Sequence, residues 1–377
     1  MAQTSDSHQV IIGEHEQYTI NMGPQHPSTH GVLRFELSLE GETVVGVRSH
    51  CGYIHRGIEK MCEVSTYQQI IHLTDRMDYL SAHINNEAVS LCVEKALGIE
   101  VPERVKVIRT ILSELTRVGS HLLWWSAFGM DMGALTTFFY GMRDREKILD
   151  IFEESCGGRL LQSFICPGGL MHDVHPNFVA RIRELIPYLR KKLPEYDRLL
   201  TGNIILQERT RNIGVLSRQQ AIAWGVTGPS GRGSAFSCDV RVHEPYSAYD
   251  RVKVNEVLYH QGDTFARYRV RLDEIHESLS ILEQLIDQIP EGNDYAVKMK
   301  PIIKLPAGDY YQRVETARGE LGVYMVSDGE KYPVRVKFRS PNFSNLFVIE
   351  QLAVGHKIAD LVAISGSLDL VIPDIDR

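Results

Sequence analysis

Asn21-Met-Gly-Pro-Gln-His-Pro-Ser-Thr-His-Gly-Val-Leu-Arg34 sets two histidines, His26 and His30, among Gly23, Pro24, Pro27 and Gly31. Each proline removes a backbone donor and each glycine loosens the chain, so neither a helix nor a central strand runs through the stretch. It reads as a shaped turn. Directly after it, Val32 to His50 reads as a β-hairpin: Leu33, Phe35, Leu37 and Leu39 alternate, Glu40-Gly41-Glu42 turns, and Val45 and Val47 return. With Glu16 to Met22 as a first strand entering the loop, and residues 1–13 as a loose lead-in, the histidines are expected at the lip of a small sheet.

Behind this sheet the pattern turns helical. From Val64 to Leu97, Ile70, Ile71, Leu73, Met77, Leu80 and Ile84 recur at helical spacing without a proline, which predicts one long helix or two in series. Pro102-Glu103 opens the next, with Val105, Ile108, Ile111, Leu112, Leu115 and Val118 on its apolar face. It continues through Val118 to Met130, an apolar stretch closed by Asp131, which is either a buried core helix or a wall facing an apolar ligand. Thr136 to Cys156, stopped by Gly157-Gly158, Asn177 to Leu200, crossed by Pro187 and Pro194, and Asp263 to Ile289 are further helices. Glycine, proline and serine accumulate between Gly225 and Tyr249, as in a long ordered loop or a lobe boundary. Leu321 to Val326 and Val334 to Phe338 read as paired strands, followed by a last helix at Phe347 to Val362. The class is α+β: residues 1–62 form an N-terminal antiparallel sheet with the histidine loop, and residues 63–377 form a helical bundle core with a short C-terminal β region and a tail.

At 377 residues, 43% hydrophobic and 24% charged, the chain has the composition of a folded globular protein. A net charge of −7 and the absence of any long Lys/Arg run argue against nucleic acid as a partner. Its six cysteines show no Cys-x-x-Cys spacing and the N-terminus lacks the pattern of a signal peptide, so reduced thiols in the cytoplasm are expected. No uncharged apolar run approaches 18 residues, so the chain is not expected to span a membrane by itself.

His26 and His30 have the i, i+4 spacing of zinc ligands on a helix, but the prolines and glycines deny a helix there and no Glu lies between them. His172 and His175 read as buried histidines satisfied by a carboxylate or carbonyl. The Gly228 to Gly233 stretch lacks the Gly-Lys-Ser/Thr ending of a phosphate loop, and no Gly-x-Ser-x-Gly elbow supplies a nucleophile. Thr74-Asp75-Arg76-Met77-Asp78-Tyr79 concentrates ionisable groups on what reads as an otherwise apolar helix, and Asp131 interrupts the apolar segment after the tryptophans. Buried, such groups need partners, either as an ion-pair network or as a site.

Taken together, Gly23 to Arg34, Tyr53-Ile-His-Arg-Gly-Ile-Glu-Lys60, Asp75-Arg-Met-Asp-Tyr79, Met130-Asp-Met-Gly-Ala134, Pro167-Gly-Gly169 and the ending Gly366-Ser-Leu-Asp369 to Asp376-Arg377 resemble the D-type, quinone-site family of respiratory complex I, NADH:quinone oxidoreductase. That family is related to the large subunit of nickel-iron hydrogenases. The hydrogenases hold their metal with two Cys-x-x-Cys pairs. This sequence has Asp75 to Tyr79 and the Gly366 to Arg377 tail in their place, so the soft metal lacks its thiolates.

The resemblance implies a quinone-binding subunit at the junction of a peripheral and a membrane arm, on the cytoplasmic side of the cell inner membrane. His30 and Tyr79 would hydrogen-bond the quinone head group, and Asp131 would pair with His30 in passing the charge change toward proton translocation. Electrons would come from an iron–sulfur cluster held by a neighbouring subunit of the B type, with Arg56 and Arg76, and His26 nearby, on the cofactor-binding side. Subunits of the C type and the membrane-arm H type are the other implied partners. Two alternatives are a hydrogenase-like or ferredoxin-fed membrane complex that has lost its nickel-iron site, and a non-catalytic scaffold whose histidine loop only docks a neighbour.

The family's pH-responsive histidine beside the cluster would fall at Leu161, in Gly158-Arg-Leu-Leu-Gln-Ser-Phe-Ile-Cys-Pro-Gly168. Leucine binds no proton, which implies a lower cluster potential, suited to menaquinone. A redox titration of the assembled complex across neutral pH should therefore give a nearly flat cluster potential, and a full proton-coupled slope would refute the assignment.

Overall fold

The computed structural model describes residues 9–12 and 15–377, so most of the expected lead-in lies outside the described residues. Residues Gln9–Ile12 form a strand, β1, antiparallel to β2 (His15–Met22), which pairs with β3 (Arg34–Glu40), which pairs with β4 (Thr43–His50). The alternation of β3 fixes which face is inside, because Phe35, Leu37 and Leu39 are buried while the residues between them are half-exposed. That buried face meets the C-terminal tail: Met22, Leu33, Phe35 and Leu37 share one core with Leu361, Ile364, Leu368, Ile372 and Ile375.

Two helices, not one, follow. Helix α1 (Tyr67–Thr74) carries a capping box in which Thr66 and Gln69 satisfy each other's backbone donors. It ends at Thr74, and α2 (Ala82–Leu97) begins only after residues 75–81, with Asn85 and Asn86 donating side-chain hydrogen bonds to the carbonyls of Thr74, Asp78 and Ile71. The Asp75 to Tyr79 cluster is therefore a break between helices, which corrects the helical reading. Apolar spacing persists through the break, but buried asparagines hold the backbone that the helix would otherwise use.

Helix α3 (Glu103–Asp131), 29 residues long, is buried on nearly all sides, so the Val118 to Met130 segment is a core helix. It lies against α4 (Leu135–Cys156), where glycines permit close approach: a Cβ on Gly141 would fall 2.0 Å from Ser126 Oγ, and one on Gly129 2.0 Å from Thr137 Oγ1. Gly157 closes α4 in the left-handed region, as expected. Helix α5 (Phe178–Tyr196) accommodates both prolines without a split and slackens into a π-turn over Asp197–Thr201. Helix α6 (Thr264–Leu285) completes the bundle.

The C-terminal sheet has three antiparallel strands, β5 (Gly308–Thr316), β6 (Gly319–Ser327) and β7 (Arg335–Arg339). The first was missed because its outer half, Gly308 to Gln312, is largely exposed and offers no apolar alternation. The expected last helix is divided into Pro341–Phe347, Ile349–Leu352 and α7 (Ile358–Leu368). Nor is Gly225 to Tyr249 a lobe boundary. Gly228–Arg232 forms a short buried helix whose glycines touch other backbone: a Cβ on Gly228 would meet Arg318 O at 2.4 Å. The glycines there serve tight packing.

That buried turn delivers Arg232 into a fully enclosed ion network. Arg232 donates to Glu274 Oε1 on α6 (2.6 Å) and to Glu315 Oε1 on β5 (2.7 Å). Arg241 joins Asp239 (2.7 Å) to Glu114 on α3 (3.0 Å), and Arg117 binds the Glu315 and Thr316 carbonyls. Removing one partner leaves buried charge uncompensated, so Arg232→Met should cost roughly 3–5 kcal/mol and lower the unfolding temperature of the chain or its yield in the assembled complex; an unchanged thermal midpoint would contradict this account.

Candidate functional site

The histidine loop is locked from within. His26 caps a single 3-10 turn, Pro27–Thr29, accepting from Ser28 N through Nδ1 (3.2 Å), and the single Thr29 hydroxyl hydrogen is shared between the carbonyls of His26 (2.8 Å) and Gly31 (2.9 Å). The turn leaves His30 in the left-handed region at φ 54°, and Gly31, at φ 151°, lies so close to the tail that a Cβ would sit 2.6 Å from Ile372. His30 thereby reaches across to the last residue of α3. Its Nε2 lies 2.6 Å from Asp131 Oδ2, with side-chain exposures of 23% and 8%.

Behind the carboxylate, the tail closes in. Trp124 Nε1 donates to Gly366 O (2.8 Å), and a Cβ on Gly366 would stand 3.3 Å from Asp131 Oδ2. Burial pulls the His30 pKa down, but the hydrogen bond to Asp131, its charge and that of Asp369 outweigh it and raise the pKa above the ordinary value.

Tyr79 stands in the break between α1 and α2 and is 36% exposed, and its hydroxyl makes no hydrogen bond to a described residue. Burial pushes its pKa up; Asp78 and Asp369 add to this, while Arg318 and Arg145 oppose it, so the phenol stays protonated near neutrality. Asp369 thus acts on both Tyr79 and His30. It is held by Arg318, a buried guanidinium in the β5–β6 turn, which bonds Asp369 Oδ1 (3.1 Å), Asp78 Oδ2 (3.1 Å) and Ser120 Oγ (2.7 Å). Arg318 was not singled out from sequence. The available signal was a charged residue in Thr316-Ala317-Arg318-Gly319, a turn between two apolar strands.

The other expected site residues fall into separate groups. Arg56 Nη2 donates to the Arg76 carbonyl, and both side chains are exposed; burial and the Arg76 charge lower the Arg56 pKa. This is a patch of like charge. His26 is spent on capping. His172 and His175 are exposed, which corrects their reading as buried histidines, because the strand pair Ile165–Cys166 and Gly169–Leu170 ends before them and leaves them on the surface. Among the described residues, no group of three or more His, Cys, Asp or Glu is arranged to hold a metal ion, and no helix is long and apolar enough to cross a membrane. The cavities beside His30 and Tyr79 are small, about 10 Å³ and 20 Å³, far below the usual size of a small-molecule pocket.

A sequence profile described as "Respiratory-chain NADH dehydrogenase, 49 Kd subunit" matches residues 131–303 and 294–377. The D subunit of the NADH-quinone oxidoreductase of Desulfotalea psychrophila is 47% identical over 98% of this chain and 100% of its own. The chain belongs to this family. Another member, the C/D subunit of the NADH-quinone oxidoreductase of Bacteroides thetaiotaomicron, is 58% identical over 97% of this chain and 69% of its own length. The family fold is also seen in a chain of the membrane-bound sulfane sulfur reductase, an archaeal respiratory membrane complex, at a TM-score of 0.93 and 34% identity, covering 98% of this chain and 100% of that one. Asp131 is the first residue that the family profile matches, and His30 and Tyr79 precede it.

The raised His30 pKa has a definite sign in stability. A group with a higher pKa folded than unfolded contributes stability that is fully present below the unfolded value, near 6.5, and lost as pH rises through the folded value. His30→Gln should therefore lower the unfolding temperature at pH 5.5–6 more than at pH 9, and an equal offset at both would refute the ion pair.

Proposed function

We propose that this chain is the quinone-site subunit of a proton-translocating NADH-quinone oxidoreductase, active only within the assembled complex at the cytoplasmic face of the inner membrane. The observation that carries the reading is the short His30–Asp131 bond at the lip of the sheet, with a protonated Tyr79 in the same electrostatic field of Asp369. An imidazolium and a phenol both donate to quinone carbonyls, and both can give up protons as those carbonyls become hydroquinone oxygens. The small cavities imply that the head group is enclosed only when neighbouring chains supply further walls.

Electrons would arrive from an iron–sulfur cluster held by a B-type neighbour, a reading supported by the absence of Cys-x-x-Cys spacing among this chain's six cysteines. Arg56 and Arg76 present fixed positive charge for that neighbour, and C-type and H-type subunits complete the surroundings. The leucine at position 161 favours menaquinone. When His30 loses its proton to the quinone, Asp131 loses its counter-charge at the end of α3, and that change is the signal passed toward the membrane arm.

A second reading is a hydrogenase-like or ferredoxin-fed membrane complex of the same ancestry without its nickel-iron site; the likeness to a chain of an archaeal respiratory membrane complex is compatible with either. The two differ in the electron donor, which co-purifying subunits identify.

Tyr79→Phe keeps the ring and removes only the hydroxyl. Quinone reductase activity of membranes carrying it should fall by about 100-fold while the complex stays assembled. Undiminished activity with full assembly would favour a scaffold role for the histidine loop.

A further inference from the structure

Tyr79 and His30 lie on separate segments, the α1–α2 break and the N-terminal loop, and one buried guanidinium bridges what stands behind them. Arg318 Nη1 donates to Oδ2 of Asp78 (3.1 Å), the residue before Tyr79, and to Ser120 Oγ on α3 (2.7 Å). Its Nη2 donates to Asp369 Oδ1 (3.1 Å) and its Nε to Asp369 O (3.3 Å). Asp369 lies in the tail between Gly366, which packs on Asp131, and Ile372, which packs on Gly31 beside His30. Arg318 therefore joins the Tyr79 segment to the tail that backs the His30–Asp131 pair.

The bridge is itself held. Thr316 Oγ1 accepts from Arg318 N (3.2 Å) and donates to Gly319 O (2.9 Å), which pins the turn. A planar fork on a pinned turn fixes its two carboxylates in direction as well as distance. Asp369 Oδ2 has no hydrogen-bond partner among the described residues, and Arg271 Nε, also without one, stands 3.9 Å from it. The charge of this cluster reaches both ligands. At Tyr79, burial, Asp78 and Asp369 raise the pKa while Arg318 and Arg145 oppose them; at His30, Asp131 and Asp369 raise it against the pull of burial.

We propose that Arg318 is a positioning residue for quinone reduction: by gripping Asp78 and Asp369 at once, it sets Tyr79 at one distance from the His30–Asp131 pair, so that both ligands meet the same head group. The role rests on the reading of His30 and Tyr79 as head-group donors. Arg318 acts through the two carboxylates and not on the quinone. Loosening either grip lets the Tyr79 segment and the tail drift apart, and a displacement of about 1 Å between two ligands is enough to cost on the order of 100-fold in rate. Its positive charge has a second effect, because it neutralises part of the Asp369 charge that His30 and Tyr79 share.

The test is quinone reductase activity of the assembled complex across pH, at saturating short-chain quinone, for Arg318→Gln and Arg318→Lys. Arg318→Gln should lose about 10- to 100-fold in kcat. Its alkaline limb should move to higher pH, because Asp369, relieved of one counter-charge but kept ionised by Arg271, holds the His30 proton more tightly. Lysine restores the charge but reaches only one carboxylate, so Arg318→Lys should return the limb to its parental place and recover part of the rate. A parental rate in Arg318→Gln, a slower rate whose limb stays or moves down, or a loss that Arg318→Lys does not relieve would overturn the role. If Arg318→Gln fails to assemble, Asp78→Asn, which keeps the shape and the Arg318–Asp369 bond, reads the same grip: it should be slow in the assembled complex, and a full rate there also overturns the role. Tyr79→Phe assayed alongside separates the two ideas. Full activity in that variant sinks the head-group reading, whereas lost activity there with parental Arg318 variants sinks the positioning role alone.

Discussion

Buried guanidiniums, each shared between elements far apart in sequence, are the constraint on which the rest of this structure depends. Arg232 ties the turn at Gly228 to α6 and β5, Arg241 reaches α3, and Arg318 joins the β5–β6 turn to the α1–α2 break and the C-terminal tail. Each guanidinium has a fixed fork of donors, so its carboxylate partners are held in direction as well as distance. Such pairs bring little net stability over apolar packing, because desolvation offsets their attraction. Their effect is on geometry, since a misplaced element would leave a buried charge unpaired.

The consequence is a site assembled from five parts of the chain. The histidine loop comes from residues 21–34, Tyr79 from a helix break, Asp131 from the end of α3, Arg318 from a hairpin turn and Asp369 from the tail. The tail is the common neighbour: Gly366 packs on Asp131, Ile372 on Gly31, and Asp376 accepts backbone bonds from Gly52 (2.7 Å) and Ile54 (3.0 Å). Carboxylates and guanidiniums hold these segments together, and they leave titratable groups at the junction.

Those groups differ in what burial does to them. His30 keeps a raised pKa because a carboxylate outweighs its desolvation, whereas His83, packed between Phe152 and Phe164 with the uncharged Thr116 and Cys156 as hydrogen-bond partners, is pushed down to about 3 by burial. A histidine is useful near neutrality only with a charged partner, and Asp131 is that partner.

The sequence by itself determined the N-terminal hairpin and its side, the long helices at 103–131 and 135–156, and the family, because strict alternation, apolar periodicity and glycine or proline punctuation are local properties of the chain. It carried Tyr79 and His30 as motif residues but set Tyr79 on a helix, since the spacing of Met77 and Leu80 continues through a break that only Asn85 and Asn86, further along, impose. It read Gly228 to Gly233 as a loop, where tertiary contacts bury the glycines against the Arg318 and Gly319 backbone. The pairing of His30 with Asp131 and the place of Arg318 were decided only by the tertiary structure, because each joins groups whose separation along the chain carries no period or pattern, and only packing brings them within hydrogen-bond distance.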